Sequence, residues 1–217
     1  AASDVYKRQE FYHAYIAMAQ IVNQPESEII AYEYMLGQYR QMGKLKMVSE
    51  FEKYPIASSD SAYKEYCMSS LRDNAMHALG VGTMRTMNSV ITGIFLPSLR
   101  CKAYTPLERI NIWRGKKLVS ASPVGGESMR FNVYNKVPSL EIPIYFFGGS
   151  YDYTCCYELQ KKYFDMLEAP LKGFYTFENS AHSPLWEEPG RAVQILVQDV
   201  LEGKNELSDD FFKFHIS

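Results

Sequence analysis

Two side chains carry the chemistry this sequence can offer, Asp152 and His182, thirty residues apart. Asp152 follows an apolar run, Ile142 to Phe147, that is closed by Gly148-Gly149. His182 follows a second run, Gly173 to Glu178, by way of Asn179-Ser180-Ala181. The first run is rich in branched and aromatic residues, with Pro143 tolerable only at its start, and suits a strand buried on both faces of a parallel sheet. The interval between the two residues holds one helix and one strand. Functional groups of open α/β sheets stand just beyond the carboxyl ends of strands, so an acid after one strand and a histidine after the next open into the same crevice. A carboxylate against an imidazole fixes its tautomer and stabilises the imidazolium formed when the ring accepts a proton. The plainer reading, a surface aspartate and a helix-capping histidine, fits each residue separately but not their spacing.

Gly149-Ser150-Tyr151-Asp152-Tyr153-Thr154 and Ser180-Ala181-His182-Ser183-Pro184 resemble the acid turn and the histidine loop of the capped α/β-hydrolases related to proline iminopeptidases. In that superfamily the triad runs nucleophile, acid, histidine along the chain. The resemblance implies a partial α/β-hydrolase fold: parallel strands interrupted by a large α-helical cap. It further implies Asp152 and His182 as catalytic residues, no cofactor and no metal, and a small ester or peptide-like amide as substrate. For an aminopeptidase of the proline iminopeptidase type, cap acids would hold the free amine, and Glu33, Glu50 and Glu65 are the candidates.

The nucleophile is missing from this picture. A hydrolase of that class carries it on a strained strand-to-helix turn, G-x-S-x-G, and no such motif occurs in the 217 residues. Gly148-Gly149-Ser150-Tyr151-Asp152 comes near, but places Asp152 where the elbow needs a very small residue. Cys155 and Cys156 lie on no turn and have no base nearby in sequence. The expectation is therefore a C-terminal part of a longer enzyme, with the serine upstream of Glu10 and about three of roughly eight sheet strands present. Two alternatives stay open: a non-catalytic protein that holds a small ligand in the same crevice, and a relative with an aspartate nucleophile.

Composition narrows the partners. The net charge is −2 with 47% hydrophobic and 14% aromatic residues, which gives no electrostatic case for nucleic acid or an anionic membrane. No stretch approaches the ~20 apolar residues of a membrane span, and the start lacks an apolar signal region. The four cysteines form no C-x-x-C pattern, so reduced thiols and a cytoplasmic location are expected. Nothing in the sequence sets an oligomeric state.

The elements that must position the pair follow in order. Ser3 to Gln9 resembles the spurious ends of assembled open reading frames, and residues 1–9 are expected to contribute no structure. Residues 10–23 and 139–203 are assigned to the sheet core, with a strand over 14–22 that carries Ala14, Ala17 and Ala19 for close helix packing. Residues 24–138 form the helical insertion. Pro25, Glu26 and Glu28 open a helix that Gly43 ends; a second runs from Lys44 to Tyr54 before Pro55; a third spans Ser58 to Gly82. Asn88 to Leu99 is apolar and broken by Gly93 and Pro97, and Thr105-Pro106-Leu107-Glu108 is a capping box for a helix reaching Gly115. Ser122 to Gly126 reads as an irregular return to the core. Tyr32, Tyr34, Met35, Tyr39, Met84, Met87, Phe95 and Trp113 divide between helix packing and pocket lining. A last helix opens at Glu187-Glu188-Pro189 and closes at Gly203, and residues 204–217 form a tail.

Overall fold

A computed structural model describes residues 2–120, 122–128 and 130–209. It begins with a short helix, α1 (Ala2–Lys7), and a 3-10 turn over Gln9–Phe11, where the sequence offers no reason to place structure. Val5 of α1 is buried. The first strand, β1 (Tyr15–Met18), is shorter than the nine residues expected. Ala19 ends it by adopting a φ of +47°, a left-handed conformation that strand pairing cannot continue through.

From here the chain leaves the sheet. α2 (Gln24–Gln41) starts as expected, with Asn23 as its N-cap and Pro25 in its first turn, and stops before Gly43 at φ +65°. α3 (Leu45–Glu52) follows. The helix expected over 58–82 is two helices, α4 (Asp60–Met68) and α5 (Ser70–Ala78), divided at Ser69. Ser69 is extended and its hydroxyl bonds the Tyr66 carbonyl, which satisfies a helix end at the cost of continuity. A π-turn at Ile91–Phe95 runs into α6 (Leu96–Arg100), so Gly93 and Pro97 distort this helix without breaking it. Pro97 has no N–H to continue the ladder, and the wider turn lies just before it. The capping box of α7 (Pro106–Ser120) is formed: Glu108 N donates to Thr105 Oγ1 and Thr105 N to Glu108 Oε2. α7 runs five residues past Gly115, and the stretch expected to be irregular holds α8 (Pro123–Ser128), with proline in its first turn where no donor is needed.

The chain returns as β2 (Ile144–Gly149), then α9 (Tyr157–Met166), β3 (Lys172–Phe177), α10 (Pro184–Glu187) and α11 (Pro189–Ile195), which passes into a π-turn at Leu196–Val200. Among the described residues the strands form one parallel sheet in the order β1-β2-β3. Among the described residues no strand of the sheet lies between β1 and β2 in sequence; those of the insertion are helix and loop, touched by an isolated bridge between Asn23 and Asn132. The chain is thus an α/β protein: a parallel sheet with a large helical insertion.

Alternation along the strands divides the core. Ala17, Ile144, Phe146 and Phe174 pack with Leu159, Tyr163 and Phe164 of α9 on one face. Tyr145, Phe147, Tyr175 and Phe177 pack with Ala192 and Ile195 of α11 on the other. A separate aromatic cluster, Tyr32, Met35, Tyr39, Phe51, Tyr66 and Met76, holds α2, α3, α4 and α5 together. Residues 204–209 dock beside β3: Asp209 N donates to the Phe174 carbonyl and Thr176 N to Asp209 Oδ2, which covers the strand's free edge. The aromatic end of the tail, Phe211-Phe212-Lys213-Phe214, lies outside the described residues.

Candidate active site

Asp152 stands three residues past β2 and is 1% exposed. Its Oδ1 accepts from the backbone N–H groups of Thr154 and Cys155, both at 2.9 Å, so the carboxylate holds its own turn closed. Its Oδ2 faces His182 Nδ1 at 3.0 Å and also accepts from the buried Gln160 amide at 3.3 Å. The two residues singled out in the sequence meet. Among the described residues His182 Nε2 has no hydrogen-bond partner, and 30% of the side chain reaches solvent. Burial, the largest influence on His182, opposes its charge. The Asp152 carboxylate and its hydrogen bond, with Glu187 beyond, outweigh burial and the Arg72 guanidinium, and leave the pKa above its ordinary value.

The histidine loop is braced by two acids from the helices that follow. Glu187 Oε2 accepts from Ala181 N at 2.8 Å, and Glu188 Oε1 accepts from Asn179 N and Ser180 Oγ at 2.9 and 2.7 Å. Gly149 lets this loop lie against the acid turn, because a Cβ there would stand 2.0 Å from the Ala181 carbonyl oxygen.

The insertion docks on both loops through a strap that follows α5. Tyr153 N donates to the Val81 carbonyl and His182 N to the Gly82 carbonyl, each at 3.3 Å, and Arg85 N donates to Glu187 Oε1 at 2.6 Å. The Arg85 guanidinium lies over the Tyr151 ring, and Tyr34 of α2 stacks on Tyr153 at 4.0 Å between centroids. At the start of α2, Ser27 Oγ accepts from Cys156 N at 2.8 Å. The residue beside it, Glu28, forms a buried bidentate pair with Arg72 of α5.

The other candidates fall elsewhere. Ser150 Oγ donates to the Glu178 carbonyl at 2.9 Å rather than to His182. Cys155 and Cys156 are buried, and burial raises both thiols, which suppresses the thiolate a nucleophile needs. Glu33 and Glu65 are exposed, and Glu50 pairs with Lys53 at 2.7 Å. Of the aromatic and methionine candidates, Tyr32, Met35, Tyr39 and Met87 are buried, and Phe95 packs edge-on against Trp113. An open cavity of about 480 Å³ lined by Tyr6, Tyr12, Glu141 and Ile142 lies toward the amino ends of the strands, away from the pair. Sequence reasoning missed Gln160, the strap and the Glu28–Arg72 pair. Glu28 was legible only as a first-turn carboxylate, and nothing local marks Arg72.

The chain is similar to a probable aminopeptidase. It is 27% identical over 194 residues to "Probable aminopeptidase YbaC" of Bacillus subtilis (strain 168), a match that covers 88% of this chain and 58% of the relative. The chain thus spans little more than half the length of that curated relative. No protein-family profile matches it. Among solved structures, "Est816 as an N-Acyl homoserine lactone degrading enzyme" superposes with a TM-score of 0.47 at 11% identity, over 91% of this chain and 62% of the other. "Esterase (EaEST) from Exiguobacterium antarcticum" superposes at 0.33 and 15%, over 51% and 47%. Neither superposition reaches the level at which it bears on function.

Proposed function

We propose that the chain is the acid-and-histidine part of a capped serine-type α/β-hydrolase, with the nucleophile on a segment outside these 217 residues. The observation that carries this reading is the 3.0 Å contact between Asp152 Oδ2 and His182 Nδ1 beyond the ends of two adjacent parallel strands, with Nε2 unpartnered among the described residues. In the reaction His182 Nε2 takes the proton from the attacking hydroxyl and returns it to the leaving group. Asp152 holds the tautomer and stabilises the imidazolium between those steps. The helical insertion serves as the cap over the crevice. The named activity of the bacterial relative supports an amide at a peptide N-terminus as substrate, within the wider class of small esters and amides. The spacing of the four cysteines, with no C-x-x-C pattern, supports a reducing compartment, and a cytoplasmic location is part of this proposal.

The test is labelling by a serine-directed fluorophosphonate. A longer protein with an upstream G-x-S-x-G segment should be labelled and should hydrolyse activated esters or aminoacyl amides, and His182→Ala should abolish both. The 217-residue chain alone should do neither. Labelling of this chain at Ser150 would make that residue the nucleophile. A longer protein that is not labelled, yet binds a small ligand, would favour a non-catalytic binding role.

A further inference from the structure

The insertion carries a charge pair that the proposed chemistry does not use. Glu28 is the fifth residue of α2 and Arg72 is on α5, 44 positions apart, and their side chains are 2% and 14% exposed. Arg72 Nη2 meets Glu28 Oε1 at 2.5 Å and Arg72 Nε meets Glu28 Oε2 at 2.6 Å, a fork-to-fork arrangement. The Gln24 amide adds a third bond to Glu28 Oε1 at 2.7 Å, and Asp73 accepts from Arg72 Nη1. Taking two charges out of water is costly, and hydrophobic residues of similar volume often hold a fold equally well. Stability alone is therefore a weak reason for this pair.

Its position suggests a better one. Ser27, next to Glu28, accepts from Cys156 N at 2.8 Å and donates to the Thr154 carbonyl at 3.5 Å. The N–H groups of Thr154 and Cys155 are the ones that hold Asp152 Oδ1. A continuous set of contacts thus runs from Arg72 through Glu28 and the first turn of α2 to the acid turn, Asp152 and His182. We propose that the buried Glu28–Arg72 pair is a positioning device for the Asp152–His182 pair, clamping α2 onto the acid turn and setting a compensated charge beside the histidine.

The inference rests on reading Asp152 and His182 as acid and base, and it gives Arg72 and Glu28 a role through them. The charged groups around His182 are Asp152 from the acid turn, Glu187 from α10 and Arg72 from α5; from the strap, Gly82 accepts from His182 N and Arg85 N donates to Glu187. Arg72 opposes the imidazolium that Asp152 and Glu187 favour. The Glu28 carboxylate, bonded to Arg72, carries the opposite charge and by Coulomb's law acts on the ring with the opposite sign.

The experiment is an NMR titration of the His182 ring in the 217-residue chain, which needs no nucleophile. Arg72→Met leaves Glu28 uncompensated and should raise the His182 pKa by about half a pH unit; Glu28→Gln leaves Arg72 uncompensated and should lower it by a similar amount. The double variant should return close to the parent value, and Arg72→Lys, which keeps the charge, should stay near it. Opposite shifts that cancel are expected only of a charge pair acting on the ring. Single variants that shift the same way, or a double variant that does not cancel, would show that the charges of the pair do not act on the ring and overturn the proposal. If either single variant fails to fold, the other carries the test together with the charge-neutral double. A shift in the stated direction in the single variant that folds, abolished in the double, supports the proposal, and a parent-like value in that single variant ends it. Because the readout is proton affinity, this result stands or falls separately from fluorophosphonate labelling of a longer protein.

Discussion

Gly149 and Ala181 approach so closely that a methyl group on the glycine would overlap the alanine's carbonyl oxygen, at 2.0 Å. The same Cβ would stand 2.6 Å from the Ser180 carbonyl oxygen, so the obstruction is backbone on both counts. The end of β2 can carry the histidine loop only because position 149 has no side chain. Gly149→Ala should therefore push that loop outward and destabilise the chain by at least the ~1–3 kcal/mol typical of overpacking. Urea denaturation with an unchanged m-value would report the loss, and the His182 ring resonances should move with it. A variant as stable as the parent, with an undisturbed ring, would contradict the observed approach.

Asp152→Asn isolates the carboxylate's effect on His182. Burial and Arg72 both oppose the imidazolium, and Asp152 is the main group that reverses them. In the variant the ring should titrate below its ordinary value near 6.5 instead of above it. The sign for stability follows from the raised pKa of the folded state. The charged pair stabilises the fold fully below about pH 6.5 and loses that contribution as pH climbs through His182's raised value. The stability difference between parent and variant should accordingly shrink from mildly acidic to alkaline pH, as read from denaturation midpoints. In a labelled, active longer protein the same substitution should cut kcat by about 10⁴.

Phe146 tests the sheet core. It is fully buried in β2, stacked on Phe174 and met edge-on by Tyr163 and Phe164. Phe146→Ala should cost about 3–5 kcal/mol, a large fraction of the stability of an ordinary domain. A loss under 1 kcal/mol in urea would mean that α9 does not pack on this face.

Asp209 tests the cover on β3. It accepts from Thr176 N at 2.9 Å and pairs with Arg191 at 3.6 Å. Asp209→Ala should speed hydrogen exchange at the Thr176 amide and cost about 1–3 kcal/mol, because it leaves a strand-edge donor unpaired. Unchanged exchange at Thr176 would show that the strand edge does not depend on this residue.

Much of the molecule was legible in local signals. Pro25 with Glu26, the Thr105–Glu108 box and Gly43 each act within a few residues, and the helix ends they marked lie where expected. The strands around Asp152 and His182 were legible because a parallel sheet buries both faces and demands continuous apolar runs, and their thirty-residue spacing admits few other arrangements. Where the reading failed, distant contacts or backbone geometry decided. Ala19 turns left-handed and shortens β1, Ser69 divides a helix that looked continuous, and Pro123-Val124-Gly125-Gly126 is helical despite its breakers. The pairing of Glu28 with Arg72, the strap on the Gly82 carbonyl and Asp209 on β3 link residues from 33 to 100 positions apart. By itself the sequence determined the kinds of element and the two residues that meet. Tertiary structure alone decided what surrounds them, because charges and hydrogen bonds act through space and leave no periodic mark along a chain.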